Sequence, residues 1–326
     1  MIITKADMKK VLAGILKDSQ YRLAAPASNG KKIDFLEVAD VSHVIMDDRI
    51  AYKSPKEFFF PRCEKLFSFS DDGAVISEQE KPCIIFGVKP CDLEALDVMS
   101  KIFMQGKFTD PFFASHLERN LIIGVGCQEK KKGCFCDLLS VDMSYSNKCD
   151  LFLENSHDDY IVRYVSDKGR DKLSAFTPGL AAFKNTEYTP PNNPALSLPQ
   201  GETAYFDQTN INWDELMETC QACGLCSFIC PTCHCFDFKD VEQNDVSCRY
   251  RIWDSCMYSK FTLHASGHNP RDTKTERYRQ RVMHKFSYVP NNVGTSACTG
   301  CGRCIRSCPA GVNIRQIAAH LMEVKA

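Results

Sequence analysis

The spacing of apolar positions changes several times along the chain, and each change marks an element. Residues 4–17 carry Met8, Val11, Leu12, Ile15 and Leu16 on one stripe at helical spacing, with Thr4 placed to cap the helix. Short apolar runs at 21–25 and 43–46 follow, separated by polar turns. Residues 83–88 and 121–125 are unbroken apolar runs of buried-strand length. Between them, Asp92 is placed to cap a helix bearing Leu93, Leu96, Met99, Ile102 and Phe103. Strand, helix and strand of these lengths predict a parallel βαβ unit. Residues 159–166 predict one more strand, so residues 1–180 read as an α/β domain.

Five of the fifteen prolines, Pro178, Pro190, Pro191, Pro194 and Pro199, fall close together. Proline removes backbone donors and favours extended chain, so residues 181–205 read as a linker. The other reading is an ordered surface loop wrapping one domain. Residues 206–326 then form a second domain containing an internal repeat. Cys220-Gln-Ala-Cys223-Gly-Leu-Cys226-Ser-Phe-Ile-Cys230-Pro231 returns 78 residues later as Cys298-Thr-Gly-Cys301-Gly-Arg-Cys304-Ile-Arg-Ser-Cys308-Pro309. Between the blocks, residues 274–285 read as a basic helix, and Asn313 is placed to cap a last helix carrying Ile317, Leu321 and Val324.

Composition narrows the function. The 326 residues have 40 Lys+Arg against 41 Asp+Glu, which excludes a strongly basic nucleic-acid binder and a highly charged disordered chain. No apolar run approaches the roughly 18 residues of a membrane helix, and residues 1–10 lack a signal-peptide core, so a cytoplasmic location is expected. Nineteen cysteines are the anomaly. A disulfide scaffold of this cysteine content is normally small, secreted and even in count. A long chain with an odd count points instead to reduced thiolates holding metal, in a compartment low in oxygen.

Each block is C-x2-C-x2-C-x3-C-P, the two-cluster ferredoxin run. A cubane needs four thiolates around one small body. Three come from one tight loop, and the fourth, on the following helix, reaches the neighbouring cluster. Cys220, Cys223, Cys226 and Cys308 are thereby assigned to one [4Fe–4S] cluster, and Cys298, Cys301, Cys304 and Cys230 to the other. Gly224 and Gly302 hold the same place in both blocks, where backbone passes close to the cluster. Structural zinc prefers two separated pairs, and one block alone oversupplies a tetrahedral site. The 67 residues from Pro231 to Ala297 form a long insert, which favours an all-α, helical-ferredoxin type of domain. Arg303 and Arg306 stand where the first block has Leu225 and Phe228, so the Cys298 cluster is expected to have the higher potential.

A second constellation lies in the first domain. Cys91 follows the strand at 83–88 and Cys127 follows the strand at 121–125, with Cys134 and Cys136 close behind. Adjacent parallel strands present their C-terminal ends on one edge, where α/β domains bind ligands. These four cysteines therefore suggest a third cluster; the bland reading makes Cys91 and Cys127 small buried apolar residues. Cys233, Cys235, Cys248 and Cys256 read as thiols packed near a cluster, with a further metal centre as the other reading. Cys63, Cys83 and Cys149 are left out of any site. The basic run from His264 to Lys285 reads either as a solvated face or as a surface balancing cluster charge or docking an acidic partner. His264 and His268 have no evident third metal ligand and read as packing residues. No G-x-G-x-x-G, P-loop, haem or nickel signature is present.

Phe86-Gly-Val-Lys-Pro-Cys-Asp92, Gly126-Cys127 with Cys134-Phe-Cys136, Cys230-Pro-Thr-Cys-His-Cys-Phe236 and Trp253-Asp-Ser-Cys256 together resemble one family. It is the dicluster iron–sulfur proteins that include the A subunit of anaerobic sulfite reductase and the beta subunit of cytosolic sulfhydrogenases. The likeness runs from about residue 80 to residue 315. It implies an electron-transfer subunit between a flavin- and NAD(P)-binding subunit and a catalytic or further iron–sulfur subunit, in a sulfite reductase, hydrogenase or heterodisulfide reductase type of complex. The rival reading is a catalytic reductase acting on a sulfur or disulfide substrate at Cys233, Cys235, Cys248 and Cys256.

Overall fold

The computed structural model describes residues 2–18, 20–28, 30, 32–70, 73–77, 80–173, 176, 211–243 and 246–323. The proline-rich segment at 181–205 lies outside them, as does Val324. The strands are β1 (Ile2–Thr4), β2 (Arg22–Ser28), β3 (Ile33–Glu37), β4 (Cys63–Ser70), β5 (Gly73–Ile76), β6 (Cys83–Val88), β7 (Leu121–Val125), β8 (Leu151–Ser156), β9 (Asp159–Tyr164), β10 (Phe236–Gln243) and β11 (Val246–Trp253). They fall into two sheets, each within its own compact unit.

The first unit takes its described residues from Met1–Phe59, Glu80–Leu196 and Thr299–Cys301. Its seven-stranded sheet has the order β1-β9-β8-β7-β6-β2-β3. The pairings β2·β6, β6·β7 and β7·β8 are parallel, and the outer ones are antiparallel. Every residue of β6 and β7 is buried, which matches their unbroken apolar sequence. The expected βαβ unit is β6, helix α2 (Pro90–Met104) and β7. Helix α1 (Lys5–Lys17) starts at Thr4, whose hydroxyl accepts from the Asp7 N–H at 3.0 Å. It buries Met8, Leu12 and Ile15 in a core with Leu23, Ile84, Phe86, Ile123 and Leu153. Helix α2 (Pro90–Met104) begins one turn earlier than expected. Lys89 is its N-cap, Pro90 supplies the preset φ of a first turn, and Asp92 lies inside that turn. Helices α3 (Pro111–Arg119) and α4 (Asp167–Leu173) complete the unit.

The second unit overturns one expectation. The insert between the cysteine blocks is not all helical, because β10 and β11 form an antiparallel hairpin in register from Phe236↔Trp253 to Gln243↔Val246. The hairpin is extended by β4 and β5, from residues expected in the first domain, giving the order β10-β11-β4-β5. A buried ion pair joins facing strands: Arg251 Nη2 lies 2.6 Å from Glu64 Oε2, with the Arg251 guanidinium 4.7 Å from the centre of the Phe60 ring. Each cysteine block is a loop leading through one short helix, α6 (Leu225–Phe228) carrying Cys226 and α9 (Arg303–Ser307) carrying Cys304, with α5 (Trp213–Met217), α7 (Lys274–Met283), α8 (Val289–Val293) and α10 (Ile314–Glu323) flanking them in sequence. Helix α7 has a full capping box, Thr273 with Glu276. A π-helical turn, His284–Tyr288, joins it to α8 ahead of Pro290, which cannot donate to a regular α-helical ladder. Asn313 Oδ1 accepts from the Arg315 N–H at 3.1 Å, before α10.

Candidate metal centres

The two cysteine blocks share one backbone path. Ala222 and Gly300 occupy equivalent positions with φ of 51° and 64°, and Gly224 and Gly302 follow with φ of 74° and 71°. Alternating left-handed residues wrap each loop tightly, and in the first block Cys220, Cys223 and Cys226 line one cavity. A side chain at Gly224 would also meet the Tyr258 ring at 2.8 Å.

Cys220, Cys223, Cys226 and Cys308, assigned to one cluster by spacing, line a single cavity of about 530 Å³ with Cys304, Met257, Tyr278 and Arg281. Backbone N–H groups already point at two of these sulfurs. Ala222 donates to Cys220 Sγ at 3.4 Å and Val312 to Cys308 Sγ at 3.3 Å. Helix α7 holds the loop from behind. Lys274 Nζ donates to the carbonyls of Glu218 (2.8 Å) and Cys220 (3.1 Å), and Arg281 Nη2 donates to that of Cys226 (3.0 Å).

The helix therefore does not present a solvated basic face. Arg277, Arg281 and Lys285 recur at four-residue spacing and are all buried, while Arg279 is exposed. Lys285 donates to Cys230 Sγ at 3.2 Å, Thr232 Oγ1 at 2.9 Å and the Ala297 carbonyl at 3.0 Å. Burial alone would discharge it, but Cys230 and Cys233 outweigh that and drive its pKa upward. Arg281 is likewise held charged against burial by Cys226, Cys233 and Cys304. Neither cation pairs with a carboxylate among the described residues. An uncompensated buried ion costs several kcal/mol, and the anions these two face are thiolates. The Cys230 thiol, hydrogen-bonded with Cys233 and facing Lys285 and Arg281, is held well below the usual thiol range despite burial. That set of buried donors fits a thiolate-ligated anionic cluster.

In the first unit, Cys91 stands in the first turn of α2 and Cys127 just beyond β7, at the C-terminal ends of adjacent parallel strands. Cys91, Cys127, Cys134 and Cys136 line one cavity of about 330 Å³, as the strand topology suggests. Cys301, assigned by spacing to the second cluster, lines it too. The Phe135 N–H donates to the Gly300 carbonyl at 2.8 Å, and the Cys134 thiol lies 3.4 Å from the Cys301 carbonyl. Buried Asp48 fixes the Cys127 loop. It accepts from the N–H groups of Gln128 (3.1 Å) and Glu129 (3.3 Å) and pairs with Lys89 (3.1 Å) and Lys131 (3.2 Å). Burial pushes the Cys127 thiol up to about 12, with Lys89 pulling the other way, and burial with Cys134 raises Cys136 to about 11.

The group Cys233, Cys235, Cys248 and Cys256 divides. Cys248 lies on β11, near Ser68 of β4 (Sγ to Oγ 3.9 Å). It is five residues from the end of the strand, or about 16 Å along it. The other three line one cavity, so the expected four-cysteine group is not assembled as a single site. Cys63 is exposed at the start of β4, and Cys83 and Cys149 are buried, their thiols raised to about 12 by burial. His264 and His268 are exposed in a turn, with ring centres 5.5 Å apart, so they do not pack in a core. No group of three or more His, Cys, Asp or Glu side chains among the described residues is arranged to hold a single metal ion. Among them, too, no helix is long and apolar enough to cross a membrane. Arg281, Lys285 and Asp48 were not singled out as site residues; the four-residue spacing of 277, 281 and 285 was the available signal for the first two.

Residues 219–312 match the family described as 4Fe-4S dicluster domain. The repeat lies within that match, which supports iron–sulfur, electron-transfer chemistry of an oxidoreductase kind. The chain is 28% identical over 314 residues to Sulfhydrogenase 2 subunit beta of Pyrococcus furiosus, spanning 93% of this chain and 92% of that one. The resemblance carried by the dispersed motifs thus extends over nearly the whole sequence. No solved structure matches.

Proposed function

We propose that this chain is the electron-transfer subunit of an anaerobic oxidoreductase complex, acting in the cytoplasm. It relays electrons between a flavin- and NAD(P)-binding subunit and a catalytic or further iron–sulfur subunit, with sulfite reductase, hydrogenase and heterodisulfide reductase types of complex all compatible. Cys220, Cys223, Cys226 and Cys308 hold the first cluster. Cys298, Cys301, Cys304 and Cys230 hold the second, an assignment resting on the spacing of the repeat. Cys91, Cys127, Cys134 and Cys136 hold a third. Bound there, the clusters supply one-electron transfer.

The observation that carries this reading is the first cavity, which is lined by all four cysteines predicted from two blocks 78 residues apart. The protein's own contribution is electrostatic. N–H groups aimed at Cys220 and Cys308, and a guanidinium behind Cys226, favour added negative charge. Similarity to a sulfhydrogenase beta subunit supports a place within a complex.

Protein purified anaerobically from its own cells tests the proposal. It is expected to come out with a flavoprotein, to show reduced cubane signals in paramagnetic resonance, and to turn over no sulfur or disulfide substrate alone. Cys220→Ser should remove about four irons and four sulfides per chain. Turnover by the isolated chain, or unchanged iron in that variant, overturns it.

A further inference from the structure

Cys233, Cys235 and Cys256 are absorbed by none of the three ligand sets, yet the fold brings them together. Cys235 precedes β10 and Cys256 follows β11, so the two stand at the open base of the hairpin. Phe236 pairs with Trp253 there, and the Asp254 N–H donates to the Cys235 carbonyl at 2.9 Å. The thiols of Cys235 and Cys256 are hydrogen-bonded, Cys233 lies beside Cys256, and Cys233 is hydrogen-bonded in turn with Cys230. All three line a cavity of about 310 Å³ whose other walls include Arg281, His284, Lys285 and His234. Helical spacing puts 281, 284 and 285 on one face. Arg281 is 2% exposed, and its Nε is buried without a hydrogen-bond partner.

We propose that Cys233, Cys235 and Cys256 hold a further iron–sulfur cluster in this cavity, adjoining the ligand Cys230. The lining combines three thiols with the buried cations Arg281 and Lys285, and Arg281 also lines the thiol-rich cavity around Cys220. Three thiolates are also the number one ferredoxin block contributes to its own cluster. They leave the fourth corner to the cavity, where the imidazoles of His234 and His284 stand with ring centres 5.5 Å apart. The proposal does not depend on the identity of the redox partners.

The test compares iron and acid-labile sulfide in the anaerobically purified full chain, its Cys256→Ser variant and a Cys233→Ser/Cys235→Ser/Cys256→Ser variant. Each variant should lose about four irons and four sulfides relative to wild type, and one reduced-cluster resonance should disappear. Cys220→Ser is run alongside. If it lowers iron while the Cys256 variants do not, the present proposal fails and the ferredoxin assignment stands. If the reverse holds, the ferredoxin assignment fails alone. Peptide mapping of wild-type protein, denatured and alkylated anaerobically, needs no variant. It should find Cys235 and Cys256 both alkylated, and a Cys235–Cys256 disulfide overturns the cluster in favour of a redox-active dithiol.

Discussion

Lys285 is the side chain through which the fold acts most directly on the proposed second cluster. Its ammonium lies 3.2 Å from Cys230 Sγ and is among the charges facing Cys298. Replacing it with glutamine removes the charge but retains a donor for Thr232 Oγ1 or the Ala297 carbonyl. A unit charge about 5 Å from the added electron, at an effective dielectric of about 20, contributes roughly 3 kcal/mol. With about 59 mV per tenfold change in a one-electron couple, that corresponds to a shift on the order of 100 mV. The sign is fixed, because reduction adds negative charge and the cation favours the reduced form. Lys285→Gln therefore lowers the potential. Potentiometric titration followed by paramagnetic resonance reads the shift, with iron content confirming that the ligands are intact. In the wild type, Lys285 adds to buried Arg303, and the cluster of the second block should titrate above that of the first. An unchanged or raised potential in the variant, at full iron content, refutes the electrostatic reasoning.

Two further outcomes test the fold. Arg251→Met strands the Glu64 carboxylate in a site where both partners are under 10% exposed, and should cost roughly 3–5 kcal/mol, read as a lower urea midpoint; a change under about 1 kcal/mol would show the pair to be solvated. Burial opposes ionisation of Asp97, but hydrogen bonds from Lys148 and Lys101 outweigh it and lower its pKa. Its stabilisation is therefore present above the unfolded-state value of about 3.9 and lost as pH falls through the folded one. Asp97→Asn should lose midpoint at pH 7 and converge on wild type in acid, read as the difference between the two proteins at each pH.

Much of this was legible in the chain. Helical spacing located α1 together with its cap Thr4, because a short amphipathic helix carries its signal within its own residues. Unbroken apolar runs located β6 and β7 as parallel strands, and parallel strands at once place Cys91 and Cys127 on the same edge. What failed was strand pairing and charge burial set by distant partners. The strands β4 and β5 have no local signal for joining β11, and the hairpin itself was hidden in a stretch read as helical insert. Arg277, Arg281 and Lys285 belong to a basic run that reads equally as a solvated face or as a balance for cluster charge, and only the tertiary structure separates the two: Arg281 and Lys285 are buried beside thiols, and Arg277 against backbone carbonyls.

The sequence by itself determined which sulfurs could act together, since x2 spacing and a repeated block constrain local backbone whatever the rest of the chain does. It also determined the absence of strong net charge. Only the tertiary structure decided which cations stand behind those sulfurs, that Cys248 lies apart from Cys233, Cys235 and Cys256, and that these three share a cavity at the base of a hairpin. Spacing acts over one turn of chain, whereas burial of a charge depends on elements that meet only after folding.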